Sequence, residues 1–425
     1  MARLVPSNGV EGQEESVLGW PGDEIAEYSK CGRTDAGVSA FGQVIGVRVR
    51  SNRPLPVKPE DGKEVPVEGD EAAEGDEVVE GGGMVEFDDA KDELQYCQIL
   101  NRLLPRDIRA LAWCPNPPPN FSARFNCQQR HYRYFFTNPA IAPITTSPSP
   151  SFNGTLDIAR MRAAAHLFVG NHDFRNFCKL DASKQITRFD RIIHHSDIVE
   201  LPPPTGDPTK PTICYFELHG SAFLWHQVRH MIAILFLIAQ GLEEPSLVKN
   251  LLDVTKTPRK PEYEMADDCA LVLWDCVFPD GMLSWVNAHG GGRDGRFEVM
   301  DDVWAIWHKA KIDEVLAGTL MDALSSVRET PTPPSPASLM TGHPGEFVVT
   351  DKAVAIATAK KDAKKKSQVI ILGGHEPRFR GRYTPVLQRR TMDDVEAINR
   401  RYAERKGDWR ENRRKREAKR LAADE

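Results

Sequence analysis

No two of the eight cysteines, Cys31, Cys97, Cys114, Cys127, Cys178, Cys214, Cys269 and Cys276, stand at Cys-x-x-Cys spacing, and no secretory leader precedes them. The chain therefore lacks the paired-thiol signature of a disulfide framework, and its cysteines read as reduced thiols of an intracellular protein. Long apolar runs are missing as well. The longest, Met231 to Ala239, has nine residues, against the roughly 20 that span a bilayer, so no membrane segment is expected. No internal repeat is evident. What the 425 residues do contain is 40% hydrophobic content, enough for two packed units or one large two-lobed domain.

The net charge of -6 is unevenly spread. Residues 58–93 hold fifteen Asp/Glu against three Lys/Arg, a local -12, which leaves -6 + 12 = +6 for the rest. A mildly basic body is compatible with a nucleic-acid partner. The acidic stretch, rich in Glu, Gly and Val and poor in aromatics, reads as a disordered insertion.

Residues 1–30 carry Pro6, Gly9, Gly12, Gly19, Pro21 and Gly22, so no long regular element is expected there. From Val44 to Arg50, Ile45, Val47 and Val49 alternate with Gly46, Arg48 and Arg50, the period of a strand with one buried face. Residues 88–104 and 156–169 have helical spacing, the second stopped at Gly170. Residues 130–137, 188–200 and 212–219 read as strands, with Tyr132, Tyr134 and Phe136 sharing one face. A helix over 224–240 follows. Beyond Leu324 the chain turns Pro/Ser/Thr-rich, then lysine-rich. Residues 399–420 hold eleven Lys/Arg against four acids, the pattern of a flexible basic tail. The division expected is an irregular 1–30, a catalytic half over 31–150, a second half over 151–325 and a tail over 326–425.

Four constellations carry possible chemistry. In "CGRTDAGVSAFGQ", two glycines bracket Arg33, Thr34 and Asp35; by itself this is also a plain strand-to-strand turn satisfying its own backbone. On the helix, Arg229 stands four residues from Trp225, three from Ile232, four from Ala233 and seven from Phe236. A guanidinium on that apolar ridge needs a carboxylate or phosphate beside it, for which Asp35 is a natural candidate, unless it snorkels to water. The histidines of "HQVRH", His226 to His230, have the spacing of zinc hydrolases, but Gln227 occupies the place of the glutamate base, so no metal site is expected. Tyr132, flanked by Arg130 and Arg133, either faces the core or stacks on an extruded base.

"GRTDAGVSA", "FSARFNCQQRHYRYFF" and "SAFLWHQVRHMI" resemble, in this order, the signature blocks of the TruA-type tRNA pseudouridine synthases. The resemblance runs from about Cys31 through Leu324. "FEVMDDVWAIWHKAKIDEVL" and "RYTPVLQRRTMDDVEAINRRYAERKG" look like the eukaryotic branch that acts on positions 38 and 39 of the anticodon stem-loop. The fold implied is α+β: a long mixed, mainly antiparallel sheet flanked by helices, with the site in a central cleft. The resemblance makes Asp35 the catalytic aspartate, Tyr132 the ring that stacks on the target uracil and Arg229 the basic partner of Asp35. It gives Arg33 a part in evicting the nucleotide and places Phe223 on the apolar pocket wall; Thr34 beside Asp35, and Arg130 and Arg133 beside Tyr132, are expected as further substrate contacts from their position in the sequence.

It also implies no cofactor, tRNA as partner, a homodimer, and a place in nucleus and cytoplasm; the run "RRKREAKR", Arg413 to Arg420, reads by itself either as an import signal or as a solvated helix face. Family members carry a strand and helix ahead of the Arg-Thr-Asp block that residues 1–30 do not show, so the chain reads as truncated there. The alternative function is a catalytically impaired RNA-binding or tRNA-folding protein of the same fold. The isomerase reading is made to depend on one contact, Asp35 with Arg229, at the bottom of a pocket for one pyrimidine.

Overall fold

The computed structural model describes residues 2–5, 28–54, 87–89, 91–141, 154–202, 211–287, 298–326, 368–374, 378–380 and 382–407. In chain order the strands are β1 (Ala2–Val5), β2 (Ser29–Lys30), β3 (Ser39–Ala40), β4 (Gln43–Gly46), β5 (Ala110–Trp113), β6 (Gln129–Asn138), β7 (Gly170–Asp173), β8 (Asp190–Glu200), β9 (Thr212–Gly220), β10 (Leu271–Val277), β11 (Val286–Asn287), β12 (Gln368–Ile370) and β13 (Arg378–Arg380). The helices are α1 (Tyr96–Leu103), α2 (Ile158–Ala165), α3 (Gln227–Ala239), α4 (Ser246–Leu252) and α5 (Glu298–Ser326).

The architecture is α+β. Instead of one long sheet, the hydrogen-bonded ladders form two larger sheets, of order β11-β5-β1-β4-β2 and β3-β10-β6-β9-β8-β7, and a small β12-β13 pair. The six-stranded sheet is antiparallel except where β3 runs parallel to β10. In the other, β1 lies parallel between β4 and β5. The chain crosses from one sheet to the other between Ala40 and Gln43, where Phe41 N–H donates to Leu273 C=O at 2.9 Å. The Asp35 turn therefore stands at the seam between the sheets.

α3 explains the core. Its thirteen residues are all buried, as a helix apolar around its circumference must be. Tyr134 and Phe136 of β6 meet Phe236 edge-on at 6.0 and 5.3 Å, in the face-sharing arrangement expected from the period of that strand. The helix starts at Gln227 rather than Leu224 because His226 is left-handed, with φ of 59°.

Other expectations change. The 44–50 strand stops at Gly46 and has the opposite phase: Val44 and Gly46 are buried, while Val49 is exposed. Parallel and antiparallel partners on its two edges select that register. Within 1–30 the short β1 fills an interior place in its sheet. The expected basic tail is part of the body across 368–407. Ile370, Ile371, Leu372 and Val386 join the core; Ile371 N–H donates to Gln240 Oε1 at 2.9 Å, and Tyr383 O–H to Glu243 at 2.6 Å. Residues 55–86, most of the acidic insertion, and 327–367 and 408–425 lie outside the described residues. Among the described residues no helix is long and apolar enough to cross a membrane.

Lys260 is unusual within this body. Its ammonium donates to Cys178 C=O at 2.7 Å and sits 2.9 Å from His230 Nε2, and burial pushes its pKa down to about 7. Unfolded, the lysine keeps its proton to about pH 10. Between these values the unfolded state binds more protons, so stability rises with pH, by at most ~1.4 kcal/mol per pH unit from this group. Lys260→Met is expected to flatten that rise in urea midpoints taken from neutral to alkaline pH.

Candidate active site

Asp35 sits on a turn that only a special backbone allows. Val38 N–H donates to Asp35 C=O at 3.1 Å, and Gly37 has φ of +83°, with the space its Cβ would need taken by Asp268 Oδ1 at 2.7 Å. Gly37→Ala is expected to cost about 1–3 kcal/mol in urea unfolding and to lower turnover, because the turn that aims the carboxylate must shift. The near end is pinned by Gln43, which accepts from Gly32 N–H at 3.0 Å and donates to Gly32 C=O at 2.8 Å. Asp35 is thus held between the start of β4 and the Asp268 loop.

Its carboxylate keeps 29% of its side-chain surface open and contacts the start of α3. Trp225 Nε1–H donates to Oδ1 at 3.3 Å, and His226 Nε2 lies 3.1 Å from Oδ2. Burial pushes the imidazole pKa below its usual range, against the upward pull of Asp35 and with a further push from Arg229. A neutral ring can serve Asp35 only as the Nε2–H tautomer. That leaves Nδ1 as an acceptor, and it is buried without a partner among the described residues.

The expected pairing of Asp35 with Arg229 is not formed. Arg229 is buried, 7% exposed; its Nε–H donates to Ala266 C=O at 2.8 Å, and Nη1 meets Asp268 Oδ2 at 3.4 Å. The requirement for an anion was read correctly and the anion was not. One turn of helix separates Arg229 from His226, and His226, nearer the helix start, takes the position beside Asp35. Arg229 reaches the Asp35 turn one carboxylate removed, through Asp268 packed on Gly37.

Tyr132 lies below the turn. A side chain on Gly32 would stand 3.9 Å from its hydroxyl, and Phe223 meets its ring edge-on at 5.1 Å. The ring is 9% exposed, so a base reaches Asp35 directly but reaches Tyr132 only if Phe223 or the turn shifts. Burial first, with nearby anionic groups including Asp35, pushes the phenol up and keeps it neutral. Arg33 and Thr34 are exposed beside Asp35, where a substrate can meet them.

Arg130 and Arg133 have other work. Arg130 donates to the carbonyls of Cys127, Ser221, Cys31 and Arg124, tying the site's segments together. Arg133 alternates to the face opposite Tyr132, pairs with Glu217 at 2.8 Å and stacks on Trp274 and Tyr215 at 3.9 and 4.6 Å. The histidines of "HQVRH" part company too, His226 to Asp35 and His230 to Lys260. Sequence reasoning missed Trp225, His226, Gln43 and Asp268. The available signal was that Trp225 and His226 stand four and three residues before Arg229 in the same block.

On the far side of Arg229 a cavity of 1070 Å³ opens between Lys179, Lys260, Arg378, Arg389 and Arg390; neither Asp35 nor Tyr132 lines it. Lys179 also lies 4.6 Å over the Trp225 ring. Glu262, Glu264 and Asp267 line the cavity too and pair with Arg390 and Arg378, so Lys179, Arg382 and Arg389 supply the surplus positive charge that a phosphate backbone would find.

Comparison with known proteins bears on this geometry. Residues 164–279 match the family described as tRNA pseudouridine synthase. The chain is 36% identical over 381 residues to the tRNA pseudouridine(38/39) synthase of Saccharomyces cerevisiae, an alignment covering 89% of this chain and 67% of that protein. It is 41% identical over 269 residues to the protein of the same name from Mus musculus and 43% over 266 residues to that from Homo sapiens, covering 63% and 62% of this chain. It spans 48% of each mammalian protein, about half their length.

Proposed function

Because the chain belongs to the tRNA pseudouridine synthase family, we propose that it isomerises uridine to pseudouridine in the anticodon stem-loop of tRNA, at positions 38 and 39, as the names of its relatives state for them. The observation that carries this is the half-open Asp35 carboxylate above the Tyr132–Phe223 pair, at the seam of the two sheets. The family now supports the reading in place of the Asp35–Arg229 contact.

The reaction breaks the N1–C1′ bond of uridine, turns the detached base and rejoins it through C5. No net oxidation occurs. Asp35 attacks C1′ or takes a proton from the ribose; either step needs an accessible carboxylate of fixed orientation, and the hydrogen bonds from Trp225 and His226 supply the orientation. Once Phe223 or the turn has shifted, Tyr132 stacks on a face of the detached uracil and Phe223 lines the apolar wall beside it. A neutral phenol passes the C5 proton on to water, giving up its own proton as it takes that one, so that the ring ends as it began. Arg33 and the lysines and arginines around the seam meet phosphates of an A-form stem, whose sequence is poorly legible in its deep groove. A homodimer and a nuclear and cytoplasmic location complete the reading.

The test is an anticodon stem-loop transcript with uridine at 38 or 39, incubated with the purified chain and mapped for carbodiimide-stable adducts. Pseudouridine at those positions is the expected result. Tight tRNA binding with no pseudouridine at any uridine would establish the alternative, an RNA-binding protein without turnover.

A further inference from the structure

Three of the eight cysteines converge. Cys31 follows β2, Cys127 precedes β6 and Cys276 lies on β10, yet their Sγ atoms all fall within 4.8 Å of one another. They are 4%, 6% and 5% exposed. They form the only group of three or more His, Cys, Asp or Glu in metal-holding proximity among the described residues. The other buried cysteines, Cys97, Cys114, Cys178 and Cys214, behave as small apolar residues, with thiols pushed up chiefly by burial.

We propose that Cys31, Cys127 and Cys276 form a zinc site that ties together the three segments bearing the catalytic cleft. Zinc takes thiolates at about 2.3 Å, which sets tetrahedral sulfurs ~3.8 Å apart; the trio needs to close by no more than about 1 Å, within reach of χ1 rotation. Three sulfurs fill three corners, and the Gln129 carbonyl oxygen, 3.1 Å from Cys127 Sγ, or a water takes the fourth.

Charge fits as well. A divalent ion with three thiolates carries one net negative charge, and the Arg130 guanidinium, bonded to the carbonyls of Cys31 and Cys127, offsets it. Without metal, hydrogen bonds from the other two thiols push Cys127 down, while Cys276 is pushed up. Zinc binding would displace the thiol protons to solvent without any change of oxidation state.

The consequence concerns the site. Cys31 is four residues before Asp35, Cys127 five before Tyr132, and Cys276 three after Leu273, the residue facing Gly32. A metal there would fix the turn, the tyrosine strand and β10 relative to one another. The inference is independent of the isomerase reading, because its readout is metal.

The experiment uses the full chain. Metal-free protein titrated with cobalt(II) is expected to develop thiolate-to-cobalt charge-transfer absorption that saturates near one equivalent, and protein made in zinc-supplemented medium to retain about one zinc per chain by mass spectrometry. Cys276→Ser should lose both signals and Cys214→Ser, a solitary buried cysteine, neither. The wild-type cobalt titration decides the matter even if Cys276→Ser fails to fold. No charge-transfer band, zinc retained undiminished by a folded Cys276→Ser, or an intact mass short by two hydrogens from a disulfide within the trio would each overturn the proposal.

Discussion

Asp35→Asn is expected to lower pseudouridine formation by roughly three orders of magnitude, the scale of a correctly placed acid, base or nucleophile, while tRNA affinity changes little. The amide is isosteric: its Oδ1 still accepts from Trp225, and its Nδ2 donates to His226 Nε2 once that neutral ring carries its proton on Nδ1, so the turn should hold its shape. What is lost is the charge, needed whether the carboxylate attacks C1′ or removes a ribose proton. Tritium release from tRNA labelled at uridine C5 measures turnover, and filter binding measures affinity. Equal release from the two proteins would remove Asp35 from the mechanism. A parallel fall in binding would show that Asp35 holds RNA rather than transforming it.

Arg229→Leu carries the second large effect. The substitution strips a buried donor from Ala266 C=O and leaves Asp268 without its cation. Asp268 is 40% exposed and regains water, so the stability loss should be about 2–4 kcal/mol rather than the larger cost of a wholly buried orphan charge. Turnover should fall by about a hundredfold, with most of that loss transmitted through Asp268 and the Gly37 turn. Asp268→Asn alone should therefore lower turnover, and the double variant should fall well short of the product of the two single effects. Strictly multiplicative losses would show instead that Arg229 acts on Asp35 directly once RNA is bound. Urea unfolding alongside initial rates separates the two contributions.

Much of the fold was legible because its signals are local. The alternation of Tyr132, Tyr134 and Phe136 is set by the two-residue period of a strand, and the apolar circumference of 227–239 by the demand that such a helix be buried. The body at 368–407 was not legible. Its charge resembles a solvated tail, and only the short "QVIIL" run at 368–372 hints at the core contacts that Ile370, Ile371 and Leu372 make. The phase of β4 was misread for a similar reason: alternation shows that one face is buried, while the partners on either edge decide which.

The order of residues along the chain determined the kinds of groups present at the site: a carboxylate on a glycine turn, aromatics on one strand face, a buried guanidinium in want of an anion. The partners of each were decided only by the fold, because the contacts form between segments as much as 190 positions apart whose approach is set by sheet register and helix start. A left-handed His226 gives Asp35 an imidazole and sends Arg229 to Asp268. The same long-range closure, which no spacing rule encodes, brings three scattered thiols within one metal's reach.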